Sequence, residues 1–244
     1  MTATERARIG MLTPSSNTVL EPVTNALLAG LSEVSAHFSR FRVTEISLRQ
    51  EAVGQFDVAP RVDAARLLAD AKVDVIAWNG TSASWLGIET DRALCTAIMA
   101  ETGIQATSTI LALVDIFEAT GVSRLGLVTP YTDAVQQRII ANFATAGIDC
   151  QTERHLHESN NFAFSRISED TIADLVRDVA RNSPDAVVVL CTNMRGAGIA
   201  ERLELETGVP VYDTVAATVW KCLKMVGVDI RRVRGWGRLF QDLA

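Results

Sequence analysis

The heptapeptide Arg8-Ile9-Gly10-Met11-Leu12-Thr13-Pro14 returns 116 residues later as Arg124-Leu125-Gly126-Leu127-Val128-Thr129-Pro130. Two further segments repeat in the same order. Residues 73–87 lie over 184–198 at an offset of 111, and Glu101-Thr102-Gly103 lies over Glu206-Thr207-Gly208 at an offset of 105. The offsets shrink slowly, as small loop deletions in the second copy would make them. Runs such as Val73-Asp74-Val75-Ile76-Ala77 and Ala186-Val187-Val188-Val189 are short, apolar and β-branched, the pattern of buried parallel strands. Strand-like segments fall at 8–14, 36–44, 73–77 and 104–107, and again at 124–130, 150–155, 186–189 and 209–212. Helical spacing covers 21–30, 58–71, 87–101, 109–120, 134–146, 169–182, 198–206 and 214–225, while 47–57 and 157–168 read as loops. Strands alternating with helices predict an α/β fold of two pseudo-symmetric, βα-rich halves, each with a mostly parallel four-stranded sheet. The expected halves are 1–115 and 116–244, with the chain crossing over near 110–122 and at the C-terminus.

In open parallel sheets, ligands sit beyond the carboxyl ends of the strands. Four repeat-related loops lie at such ends: those at Pro14, Gly80, Pro130 and Cys191. If the halves face each other, these loops enclose one cleft, with Gly80 and Cys191 on opposite sides. A cysteine is most often a small buried apolar residue. Cys191 differs in directly following a strand and opening a polar run with Thr192, Asn193 and Arg195. Helix amides just downstream are expected to lower its pKa, and a thiol so placed can deliver or remove a proton. Gly80-Thr81-Ser82 reads either as a helix cap or as an anion cradle of hydroxyls and amides that holds a carboxylate and the charge of an enediolate. Tyr131, one of two tyrosines, adds a phenolic donor beside it. Asn17 and Asn161 invite the same two readings, cap or carboxylate donor. Cys95 and Cys222 fall in apolar helical patterns and read as core, and nothing points to chemistry at Cys150.

The composition narrows the function classes. The chain of 244 residues is 48% hydrophobic and 21% charged, with a net charge of −6. That balance argues against nucleic acid or an anionic membrane as partner, although a local pocket field can still suit an acidic ligand. No run approaches the roughly 20 apolar residues of a membrane span, and the first residues lack an apolar signal segment, so the cytoplasm is the expected compartment. The four cysteines form no C-x-x-C pair, which speaks against structural zinc or a disulfide framework. His155 and His157 share one face of an extended segment, but no third ligand is evident from the spacing, and no metal is expected. Neither G-x-G-x-x-G nor a P-loop is present, so the α/β pattern carries no nucleotide signal. No cofactor is expected. Arg231-Arg232-Val233-Arg234 reads as a solvated or interface segment.

The two-fold repeated plan, with reactive positions after equivalent strands, resembles the aspartate/glutamate racemase superfamily. Within it the chain is similar to maleate cis-trans isomerases and arylmalonate decarboxylases over essentially its whole length. The resemblance rests on Pro14-Ser15-Ser16-Asn17-Thr18, Gly80-Thr81-Ser82, Pro130-Tyr131, Asn161, Cys191-Thr192-Asn193 and the tail 235–240. Superfamily racemases and maleate isomerases use two cysteines, one after each repeated strand. Here the second is Cys191 and the first position is Gly80. Arylmalonate decarboxylases share that feature: Gly-Thr-Ser, with only the second cysteine. The resemblance therefore implies a small dicarboxylic acid substrate, such as a substituted malonate, with one carboxylate held by Thr81, Ser82, Tyr131 and the backbone near Cys191 and Thr192. Loss of CO2 would leave an enediolate that Cys191 protonates from one face, with Val43, Leu48, Phe162 and Phe164 expected to line the apolar pocket. Pro14-Ser15-Ser16-Asn17, Asn161 and Cys191-Thr192-Asn193 look more like the maleate isomerases, which keeps an isomerase or other lyase of a small dicarboxylate as the alternative. A carboxylate-binding protein without catalysis is a third reading. Relatives often form oligomers, and a homo-oligomer is compatible with the chain.

Overall fold

The structure, a computed structural model, describes residues 6–150 and 152–243. The first half contains β1 (Ala7–Pro14), α1 (Leu20–Leu28), β2 (Val34–Phe41), α2 (Gln50–Gly54), α3 (Val58–Asp70), β3 (Val75–Trp78), α4 (Ala83–Leu86), α5 (Glu89–Thr102), β4 (Gln105–Ser108) and α6 (Thr109–Thr120). The second contains β5 (Leu125–Thr129), α7 (Asp133–Thr145), β6 (Glu153–His155), α8 (Asn161–Phe164), α9 (Glu169–Ala180), β7 (Ala186–Val189), α10 (Ala200–Thr207), β8 (Val211–Asp213), α11 (Thr214–Met225) and α12 (Leu239–Asp242). The sheets run β2-β1-β3-β4 and β6-β5-β7-β8, all parallel. The repeat is thus a repeat of topology, as expected from the sequence.

The central strands β3 and β7 are buried along their whole length, which is why they read as unbroken apolar runs. Helix boundaries follow local chemistry. Ser108 caps α6 by accepting from the Leu111 amide, and Asp213 caps α11 by accepting from Val215 and Ala216. The repeated Glu-Thr-Gly closes α5 and α10 with Gly103 and Gly208 at φ +70° and +74°, left-handed conformations that suit glycine. The two segments expected as loops each hold a short helix, α2 and α8. Both are of five residues or fewer, too short to leave a periodic signature.

The last long helix does not stay with its own sheet. Helix α11 packs on β3, β4 and α1 of the first half, and against α6. Thr109 and Thr218 share a buried hydrogen bond of 2.7 Å there, and Lys221 pairs with Asp115 at 2.5 Å. Arg232 in the basic tail pairs with Glu33 of the first half. Among the described residues, no helix is long and apolar enough to cross a membrane.

Two core carboxyls make stability depend on pH. Burial pushes Asp91 up to about 7, opposed only in part by nearby Ser108 and the charge of Arg61, and neither carboxylate oxygen has a well-formed hydrogen bond. Burial likewise pushes Asp213 up to about 7, against the amides of Ala216, Val215, Ala197 and Gly196. In the unfolded chain both titrate near 4, so between about pH 4 and 7 the folded state binds more protons and stability falls as pH rises. His155 and Glu204, also raised, act with the same sign. The lowered carboxylates, such as Asp185, contribute their full share above about pH 4 and lose it only in stronger acid. Urea midpoints should therefore drop from pH 5 to pH 7.5, by on the order of 2 kcal/mol for each buried carboxyl. Asp91→Asn should remove about half of that slope. A wild-type midpoint that is flat or rises over this range would contradict the assignment.

Candidate active site

The C-terminal ends of β1, β3, β5 and β7 meet across the boundary between the halves. A cavity of about 20 Å³ lies among them. Its polar wall is formed by Gly80, Thr81, Ser82, Tyr131, Asn161, Cys191 and Thr192, together with Pro14. Its apolar wall is Val43, Ile46, Phe56, Trp78 and Trp85. A wider surface groove of about 530 Å³ runs between residues 87–92 and 142–148, away from this set.

Of the polar and reactive residues singled out from the sequence, Pro14, Gly80, Thr81, Ser82, Tyr131, Asn161, Cys191 and Thr192 border this cavity, and Asn17 stands behind it, bonded to Thr192. Just ahead of α1, Asn17 Oδ1 accepts from the amides of Val19 and Leu20 at 2.9 Å. Its Nδ2 donates to Thr192 Oγ1 at 3.1 Å. Asn193 accepts from the Thr18 amide at 3.0 Å and donates to the Asn161 carbonyl at 2.5 Å. Asn161 Nδ2 donates to Ser16 Oγ at 2.7 Å, and Ser16 donates to the Val43 carbonyl at 2.6 Å. The asparagines therefore stitch the loops of the two halves together. They fix the wall in position and direct these donors at one another.

Thr81 Oγ1 and Tyr131 Oη are 2.7 Å apart, and either can donate. Ser82 Oγ accepts from Trp78 Nε1 at 3.3 Å, so its own proton is directed elsewhere. Tyr131 is wedged edge-on between Trp85 and Phe164. Burial raises its phenol well above the ordinary tyrosine range, and the neighbouring Cys191 adds to this.

Cys191 corrects one expectation. The amides of Asn193 and Met194 do hydrogen-bond its sulfur, as does Tyr131, and each favours the thiolate. Burial outweighs all three, Asp213 adds repulsion, and the thiol is pushed up to about 12. Burial therefore favours a neutral S–H at Cys191 at physiological pH.

Gly80 faces Cys191 across the repeat, and its neighbour decides what fits there. A Cβ at position 80 would lie 2.2–2.7 Å from the benzo ring of Trp78. The Trp78 indole, fully buried, fills the space a first-half side chain would need. Trp78 stands over Phe41 and Phe56, and Arg61 lies over its ring.

The apolar wall was only partly foreseen. Val43 lines it as expected. Leu48 and Phe162 are exposed, at 38% and 44%, and Phe162 lies under Arg166. Phe164 is fully buried but backs Tyr131 instead of bordering the cavity. Ile46, Phe56, Trp78 and Trp85 replace them; Trp78 and Trp85 lie in the repeated segment 73–87, and nothing in the sequence marked Ile46 or Phe56. Three wall residues, Val43, Ile46 and Phe56, belong to segment 42–57, which folds over the cleft. It is held by hydrogen bonds from the Ile46 amide to the Ser159 carbonyl and from the Asn161 amide to the Thr44 carbonyl, 2.8 and 3.0 Å.

Comparison with known proteins places this geometry. The family model described as Arylmalonate decarboxylase matches residues 10–240. The arylmalonate decarboxylase of Bordetella bronchiseptica is 29% identical over 184 residues, 74% of this chain and 77% of that protein. The maleate isomerase of Nocardia farcinica is 28% identical over 244 residues, 96% of each chain. Its solved structure, a cysteine-to-serine mutant with a covalently bound succinylcysteine intermediate, superposes with a TM-score of 0.87 at 26% identity, covering 97% of this chain and 98% of that one. A glycine-to-cysteine, cysteine-to-serine double mutant of arylmalonate decarboxylase in the liganded form superposes with a TM-score of 0.85 at 25% identity, covering 97% and 99%. The chain belongs to the arylmalonate decarboxylase family of enzymes, and its relatives include decarboxylases and maleate isomerases alike.

Proposed function

We propose that the protein is a cofactor-independent decarboxylase of a substituted malonate, with Cys191 as the single proton donor. The observation that carries this reading is the Trp78 ring over Gly80, which leaves no room for a second thiol facing Cys191. A covalent isomerase needs a nucleophile at that place and a two-base racemase needs a second acid or base there. One-sided protonation needs neither.

The substrate enters as a dianion, one carboxylate against Thr81, Ser82, Tyr131 and Thr192, the other toward the apolar wall. Poor solvation of that second carboxylate favours its departure as CO2. The electron pair of the broken C–C bond stays on the substrate as an enediolate, whose charge the hydroxyls stabilise. The Cys191 S–H transfers its proton to the α-carbon, giving the monocarboxylate and a thiolate. The thiolate then recovers a proton from solvent. Delivery from one side gives one enantiomer.

The cavity of about 20 Å³ is of water size, well below the volume of such a substrate. Admission therefore requires segment 42–57 to move, and closing it again excludes water from the enediolate.

A second reading, isomerisation of a small unsaturated dicarboxylate, draws on the Asn17, Asn161 and Asn193 network and on the relatives that match over the full length. The two separate in one experiment. The purified chain is incubated with phenylmalonate and with maleate, following CO2 release and cis-trans conversion. CO2 release without conversion is expected. Conversion of maleate to fumarate with no CO2 from malonates would overturn the proposal.

A further inference from the structure

We propose that Asp133, His155 and His157 form a binding site for one divalent cation of the zinc class, at the outer edge of the second sheet. Asp133 is the first residue of α7, His155 ends β6, and His157 follows two residues on. Their ligand atoms all lie within 4.8 Å of one another. Asp133 Oδ1 is 2.6 Å from His155 Nε2 and 2.8 Å from His157 Nδ1, and the two rings stand with centroids 4.3 Å apart. A tetrahedral ion with bonds of about 2.0 Å spreads its ligand atoms to about 3.3 Å, so rotations of Asp133 and His157, both largely exposed, make room.

Two features go beyond proximity. First, His155 carries an outer support of the kind that metal-bound histidines have. Its Nδ1 meets Glu153 Oε2 at 2.8 Å; Glu153 accepts from Gln136 Nε2 at 2.9 Å, and Gln136 accepts from Thr129 at 2.7 Å. A carboxylate on Nδ1 fixes the ring and leaves Nε2 as the ligand atom. Second, the backbone of His157 is left-handed, at φ +55°. With the backbone in that conformation the His155 and His157 rings meet, their centroids 4.3 Å apart. Two imidazoles and a carboxylate suit zinc, cobalt or nickel over magnesium or calcium, and three protein ligands leave a position for water. On binding, the ring protons now directed at Asp133 leave to the buffer and the nitrogen lone pairs take the ion.

The site adjoins the loop that carries Tyr131. The amide of His157 donates to the Tyr131 carbonyl at 3.1 Å, and that of Glu158 to the Pro130 carbonyl at 2.8 Å. An ion joining α7 to residues 155 and 157 therefore clamps the backbone behind Tyr131. The inference is independent of which reaction the cavity carries out.

The test uses the tag-free, chelator-treated full chain, titrated with Zn²⁺ by calorimetry and with Co²⁺ by visible absorption. One equivalent should bind with a Kd in the micromolar range or tighter, without a cobalt–thiolate charge-transfer band. Asp133→Asn and His157→Gly should each weaken binding at least tenfold. Glycine suits φ +55°, so His157→Gly should melt in metal-free buffer no lower than wild type, which keeps misfolding apart from lost coordination. Absence of saturable binding below about 1 mM, or binding kept within twofold in both variants, would overturn the site.

Discussion

Cys191→Ala should lower the rate of CO2 release from phenylmalonate-type substrates by about 10²- to 10⁴-fold, the usual worth of a positioned proton donor. KM should move little, because the proposed mechanism places the substrate carboxylate against Thr81, Ser82, Tyr131 and Thr192, which the substitution leaves in place. The melting temperature should stay close to wild type, since only one small sulfur is lost. The protonation state sharpens the expectation. The thiol is pushed up to about 12, chiefly by burial, so kcat should show no alkaline fall between pH 7 and 9 of the kind a low-pKa cysteine produces. Thiol-directed alkylating agents should react slowly with the resting enzyme for the same reason. If decarboxylation survives Cys191→Ala unchanged, the donor is another group, and Tyr131, hydrogen-bonded to the same sulfur, is the next candidate. Tyr131→Phe in the Cys191→Ala background would then distinguish the phenol from water.

Much of the fold was legible because it is local and repeated. Periodicity marked the strands, and the repeat of Leu-Thr-Pro14 and Val-Thr-Pro130 marked equivalent strand ends, so the four loops could be brought to one cleft. The expected boundaries of α6 and α11 match the structure to the residue. What the sequence hid was set by long-range packing. Nothing at Asp133 suggested His155 and His157 as neighbours, because β6 and α7 meet only once the second sheet has formed. The exposure of Phe162 and the burial of Phe164 depend on how a single helical turn is rotated, which four residues cannot encode by period. Cys191 shows the same limit in energetics. Its amide donors were foreseen, whereas the depth of its burial, which reverses their effect, is a property of the assembled halves.

The absent first thiol has the same origin, and it leads to the second large effect. The backbone at Gly80 is not left-handed, so its conformation alone would admit any residue. The sequence accordingly suggests that Gly80→Cys restores a second reactive group at little structural cost. The structure corrects this, since the new Cβ would overlap the Trp78 ring. Trp78 is fully buried and packed against Phe41 and Phe56, with only a water-sized cavity on its free side. Gly80→Cys and Gly80→Ala should each lose about 3 kcal/mol in urea unfolding, the upper range for overpacking. Trp78→Phe alone should cost roughly 1–2 kcal/mol as a cavity. The double variant Trp78→Phe/Gly80→Cys should be more stable than the sum of the single changes predicts, by about 1–2 kcal/mol of favourable coupling. Only in that background do two thiols face each other across the cleft. It should therefore exchange the α-proton of an aryl acid on both faces, read as deuterium wash-in accompanied by loss of enantiomeric purity. A Gly80→Cys protein as stable as wild type would remove Trp78 as the reason for the glycine. Rapid racemisation by the unmodified chain would remove the single-donor mechanism itself.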